Sequence, residues 1–200
     1  NPAQRTTVPS HHHPSSISMY VSTRTPVLLQ TARTMVYRPD SPTITEITRI
    51  ILDGGSQRSY ITGRLREALT LPTQSSESLV IKMFGSEGGR MQTCDVVRLG
   101  VRTKDGAHID LKLLVVPLIC EPLCGQPVSC ASERFPHLFG LEMADTSTLN
   151  ETLDIDVLIG ADYYWQFATG NIRRGTSGPT GIETRLGWVL SGPVPGYSDE

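Results

Sequence analysis

In the stretch RIILDGGSQRSYI, residues 49–61, apolar β-formers run straight into Asp53, and Gly54 and Gly55 then free the backbone. A carboxylate at the end of a buried strand, on a loop turned sharply by glycine, suits acid–base work, because it is held in place and still reaches solvent. The same residues also read as a strand followed by an ordinary Asp-Gly turn. Other chemistries fit less well. A serine hydrolase needs G-x-S-x-G at a strand-to-helix elbow, which GGSQR does not supply. A phosphate loop needs G-x-x-x-x-G-K-[ST], and GSEGGR at 85–90 is followed by a strand-like run rather than a helix. A glycosidase-like pair of acids is chemically open, but nothing singles out a second acid. Three of the four cysteines fall in CEPLCGQPVSC (Cys120, Cys124, Cys130), with Cys94 apart. That run has no C-x-x-C pair and encloses no histidine, His137 being the nearest, so it predicts reduced, partly buried thiols and no metal site. His11, His12 and His13 fall in a Pro/Ser/Thr-rich opening segment and read as solvated.

The elements that must hold Asp53 are mostly strands. VLLQTARTMVY (27–37) reads as a strand, RPDSPT as a turn, and TEITRIILD (45–53) as the strand that delivers the carboxylate. Ile61, Leu65, Ala68 and Leu69 share one face of a short helix, weakened by Gly63 and stopped by Pro72. A long hairpin follows with GSEGG at its tip, then a second one turning at Lys104-Asp105-Gly106. Residues 107–119 alternate at Ile109, Leu111 and Leu113 before becoming wholly apolar. Residues 118–150 read as irregular, with a short helix around ERFPHLFGL. Ile155–Ile159 is a buried strand followed by Gly160 and a helical turn, and Leu186–Leu190 is a last strand. Six or seven strands, two short helices and no βαβ rhythm predict a mainly-β barrel or sandwich.

A carboxylate of this kind suits one further chemistry. Aspartic proteases place two carboxylates about 3 Å apart to share one proton, since like charges that close cannot both ionise. One takes a proton from water while the other donates to the scissile carbonyl. Four co-linear segments here carry a resemblance: LDGGSQRSYI at 52–61, FPHLFGLEMAD at 135–145, DVLIGADYYW at 156–165 and TRLGWVLSG at 184–192. Over roughly residues 27–194 the chain resembles the retropepsin-like aspartic protease domain of Bel/Pao-type retrotransposon Pol polyproteins.

The resemblance implies a retropepsin-like closed β-barrel, the acid-protease fold, with one or two short helices, spanning 26–195 between a flexible linker (1–25) and a tail (196–200). It implies Asp53 as the catalytic aspartate and Gly55 as the glycine of the Asp-x-Gly loop. The hairpin at 82–92 becomes a flap that binds substrate near Phe84, Gly85, Gly88 and Gly89. Ile159-Gly160 would buttress the loop, and Asp162 is expected to cap or brace the helical turn after it rather than to catalyse. One Asp-x-Gly per chain implies a homodimer with its site on the two-fold axis, joined through terminal strands, here 186–194. The expected function is an aspartic endopeptidase that trims its own polyprotein, with no cofactor. Gly54 departs from the family pattern, which has Ser or Thr there, and leaves open a catalytically weak or inactive dimerisation or peptide-binding module.

The totals agree with a globular domain, with 38% apolar and 19% charged residues. A net charge of −2 gives no reason to expect direct nucleic-acid binding or an anionic membrane as partner. No apolar run nears the roughly 18–20 residues that span a bilayer. Asn1 in place of a methionine predicts a segment of a longer polypeptide. The expected location is cytoplasmic, within virus-like particles.

Overall fold

The computed structural model describes residues 25–81 and 90–197. The strands are β1 (Val27–Leu28), β2 (Thr31–Arg38), β3 (Ser41–Leu52), β4 (Tyr60–Thr62), β5 (Thr73–Ile81), β6 (Arg90–Arg102), β7 (His108–Val116), β8 (Val157–Ile159), β9 (Ala168–Arg173), β10 (Thr180–Thr184) and β11 (Gly187–Pro193). The helices are short: α1 (Gly63–Ala68), α2 (Val128–Arg134), α3 (Tyr164–Phe167) and a 3₁₀ turn at Pro136–Leu138. The protein is mainly β, as its composition and alternation predict.

Two sheets divide the strands. The larger is ordered β2-β3-β8-β4-β7-β6-β5, and β6 also pairs back to β2 at Val36↔Val101 and Tyr37↔Gly100. Gly100 permits that last pairing, because a β-carbon there would fall among the ring atoms of Tyr37. The smaller sheet is ordered β1-β11-β10-β9. Inward-facing Val36, Ile50, Leu52, Ile61, Leu99, Leu111, Leu113, Val157, Ile159 and Phe167 form one buried cluster. Their burial drives the assembly.

Several elements differ from expectation. The segment at 27–37 is two strands, β1 in the small sheet and β2 in the large one. β3 starts at Ser41, because the turn at Pro39 and Asp40 pairs Ser41 with Arg38; a register shift separates that pair from the regular ladder that begins at Tyr37↔Thr45, and Arg38 grips Asp40 from Nε at 2.6 Å. Ile61 belongs to strand β4, wedged between β7 and β8, and not to the helix. The helix starts at Gly63, with Thr62 Oγ1 accepting the Leu65 N–H as its N-cap. Gly63 is therefore not interior and carries little of the usual glycine cost. Thr70, at φ 49°, ends the segment before Pro72 is reached. The last strand expected at 186–190 is the third of three, since β9 and β10 precede it.

The link between β7 and β8 is a long excursion. Leu123, Leu153 and Ile155 bury against Ile51 of β3. Val128, Ala131, Phe135 and Leu138 bury against Leu28, Leu190 and Val194. Ala144 sits between the sheets, its carbonyl accepting from Arg33 N–H at 2.7 Å and its N–H donating to Trp188 O at 2.8 Å. Irregular backbone thus becomes the seam between β2 and β11.

Candidate functional site

β3 and β8 run parallel, with Leu52 beside Ile159, so Asp53 and Gly160 leave the sheet side by side. The Asp53 N–H donates to Ile159 O at 2.9 Å. The chain then turns within the next residues: Ser56 N–H returns to Asp53 O at 3.1 Å, and Gly55 N–H donates to Asp53 Oδ1 at 2.9 Å. Asp53 is half-buried, while Gly54 and Gly55 are exposed. The arrangement presents one carboxylate oxygen already oriented by a backbone donor and backed by a buried strand.

The loop from Asp53 to Ser59 lies directly over Gly160. A β-carbon on Gly160 would come within 2.7 Å of Ser56 O and closer still to Arg58 O, so only glycine fits this crossing. Ala161 N–H donates to Ser56 O at 2.7 Å. Asp162 completes the clamp, accepting from Ser59 Oγ at 2.6 Å and Ser59 N–H at 3.1 Å, while Ser59 Oγ accepts from Gly160 N–H at 2.8 Å. Asp162 therefore braces the loop that carries Asp53. It does not cap α3, whose N-cap residue Tyr163 makes no side-chain cap bond.

Arg58 extends the clamp sideways, with Nη2 at 2.9 Å from Glu77 of β5 and Nε at 3.8 Å from Asp162. Tyr164 lies on the other flank. Its Cδ2 is 3.9 Å from where a Gly54 β-carbon would stand, and its hydroxyl donates to Gln30 Oε1 at 2.7 Å. At the other end of β8 from Gly160, the buried Asp156 accepts from Thr48 Oγ1 at 3.1 Å and Thr62 Oγ1 at 2.7 Å and pairs with Arg64. Buried carboxylates persist when their lone pairs are filled in this way.

Of the site residues expected from sequence, Asp53, Gly55 and Gly160 come together. Phe84, Gly85, Gly88 and Gly89 lie outside the described residues. The hairpin arms are described, and β5 and β6 stay in register up to Ile81↔Arg90. The strands assigned to dimerisation, 186–194, are occupied within the chain: β11 pairs with β10 on one edge and with β1 on the other. Sequence reasoning gave no role to Ser59, Arg58, Gln30 or Tyr164. Ser59 was visible inside the quoted motif, but its partner stands 103 residues away. All four cysteines are free thiols, and among the described residues no cluster of three or more His, Cys, Asp or Glu could hold a metal. No helix among them is long and apolar enough to cross a membrane.

Neither the curated proteins nor the solved structures include a match to the chain. A family model described as "Putative peptidase (DUF1758)" matches residues 34–195. That span takes in the later part of β2 and all of β3 through β11, with Asp53, its glycine loop and the Ser59–Asp162 clamp inside it, and the chain belongs to this peptidase family.

Proposed function

We propose that the chain is an aspartic endopeptidase of a retrotransposon-type polyprotein, working as a homodimer in which each copy supplies one Asp53. In this reading one carboxylate accepts a proton from water while its symmetry mate, protonated, donates to the scissile carbonyl. The carrying observation is the crossing of the Asp53 loop over Gly160, which fixes a single carboxylate at the end of paired parallel strands. The return pairing of β6 onto β2 supports the closed-barrel, retropepsin-like form of the fold. Extended peptide would lie between this loop and the β5–β6 hairpin, with Gly55 against it and Phe84, Gly85 and Gly88 covering it.

The test is cleavage of peptides spanning the polyprotein's own domain junctions at pH 5, with and without pepstatin, by the parent, Asp53→Asn and Gly54→Ser. Pepstatin-sensitive cutting that Asp53→Asn abolishes is the expected result. A parent that cuts no better than Asp53→Asn overturns catalysis in this chain. If Gly54→Ser alone cuts, the glycine has silenced an intact scaffold. That outcome favours the second reading, a retropepsin-like module kept for dimerisation or peptide binding, which Gly54 motivates.

A further inference from the structure

The large sheet leaves a stretch of strand edge open next to elements that hold the Asp53 loop. β6 pairs with β5 along 90–97, but with β7 only from Val96↔Leu114 onward. Past Leu114, β7 is drawn off by β4, through Ile61↔Val115 and Thr62↔Val116. The two strands part there. A groove of about 390 Å³ opens between residues 92–95 and residues 115–117, with Gly63 and Arg66 of α1 completing its lining.

Backbone groups of successive strand residues point to opposite edges. Thr103, just past β6, donates its N–H to Ala107 O across the turn into β7, so the odd-numbered residues of β6 face β7. Thr93 and Asp95 therefore aim their N–H and C=O groups into the groove, whereas Gln92 and Cys94 aim theirs at Leu79 and Glu77 of β5. Among the described residues no strand answers Thr93 and Asp95 on that side. The outer edge of β1, by contrast, is covered by one side chain. Gln126 Oε1 accepts from Leu29 N–H at 2.9 Å, and Gln126 Nε2 donates to Val27 O at 3.0 Å, as a neighbouring strand would.

Both walls of the groove are tied to the Asp53 loop. Glu77, the register partner of Cys94, holds Arg58 at 2.9 Å. Leu114, where the strands part, donates its N–H to Ser59 O at 3.1 Å. A ligand for such an edge must offer main-chain donors and acceptors at strand spacing, which an extended polypeptide does. Half-buried Val115 and Val116 and exposed Pro117 give it an apolar wall. Resting on the protease reading above, we propose that this groove is a second substrate-binding site, where a stretch of polypeptide away from the scissile bond adds as a short strand to β6. Its contacts are main-chain, so it accepts many sequences, and it raises the effective concentration of substrate at Asp53.

The experiment is amide NMR on Asp53→Asn protein, titrated with oxidised insulin B chain as an extended polypeptide. The Thr93 and Asp95 amides are expected to shift and to exchange more slowly with solvent, while those of Gln92 and Cys94, already bonded to β5, stay. Adding Thr93→Pro removes one groove-facing N–H and no ladder bond, as an edge proline does. It is expected to weaken binding about fivefold, the worth of one hydrogen bond. Val116→Arg fills the groove from the other wall and is expected to weaken binding at least as much, with circular dichroism confirming that both variants fold. Shifts at the Asp53 loop alone, an equal response along 92–95, or binding indifferent to both substitutions each overturns the proposal. Cleavage by the parent judges the protease reading separately. A groove that binds in a parent that cuts nothing keeps the site and removes the protease, whereas Asp53-dependent cutting with no groove response does the reverse.

Discussion

A β-carbon on Gly160 has nowhere to go, because the carbonyls of Ser56 and Arg58 already occupy its place. Gly160→Ala must lift the Asp53 loop off β8, and we expect a loss of about 1–3 kcal/mol in urea unfolding, as overpacking usually costs. Gly54 is the opposite case, with nothing nearer than 3.9 Å to an added β-carbon and no positive φ. Gly54→Ser should leave stability within about 0.5 kcal/mol of the parent, so a change in cleavage by that variant would report on chemistry rather than folding. Ser59→Ala strips a buried hydroxyl that serves both Asp162 and Gly160 N–H. It should cost about 1–3 kcal/mol, the usual penalty for orphaned buried groups, and hydrogen exchange at 54–57 should rise with it. Unchanged exchange there would show that Asp162 does not hold the loop. At this scale Asp53 and its glycines were legible, because strand, turn and carboxylate are adjacent in sequence. The Ser59–Asp162 clamp was not, since no local pattern links residues that far apart.

The excursion between β7 and β8 is held to β3 by ion pairs as well as by apolar packing. Arg49 grips Asp145 with two nitrogens, at 2.7 and 3.1 Å, and reaches Glu151 at 3.0 Å. The Asp145 side chain is only 1% exposed, so Arg49→Ala leaves a buried charge unpaired. That change should cost about 3–5 kcal/mol, measurable as a lower urea midpoint. Burial alone would raise the Glu151 carboxyl, but the Arg49 guanidinium and the Thr148 N–H outweigh it and hold it below its ordinary value. A depressed carboxylate contributes stability that is complete above its unfolded value, about 4.3, and is lost as pH falls through the lower folded one. The tether therefore survives an assay at pH 5 and weakens below that range. Glu151→Gln should flatten the acid side of the stability–pH curve, and an unaltered curve would show that the pair carries none of it.

At the scale of the whole molecule, the large sheet returns on itself where Tyr37 of β2 lies over Gly100 of β6. Gly100→Ala pushes on that ring and should cost about 1–3 kcal/mol. Because the contact joins two distant strands, hydrogen exchange should rise in β2 and β6 together. A rise confined to β6 would show that the return pairing does not bind the sheet. The excursion adds a second closure, with Ala144 hydrogen-bonded to both β2 and β11.

What the sequence determined by itself is local. It placed a strand before Asp53, a glycine-freed loop after it, a turn at Lys104-Asp105-Gly106, and the inward alternation of Ile109, Leu111 and Leu113, all three of which are buried. Each is written in neighbouring residues through turn chemistry or the period-two pleat. The tertiary structure alone decided that Ile61 is strand rather than helix, because β7 and β8 close on it from either side. It also decided that ATGNIR is a strand at all: an edge strand with a solvated face has no apolar alternation to read. The placement of Asp162 beneath the Asp53 loop and of Gln126 on the edge of β1 likewise came only with the fold. Those contacts depend on which distant backbones meet, and burial and pairing across the whole chain set that.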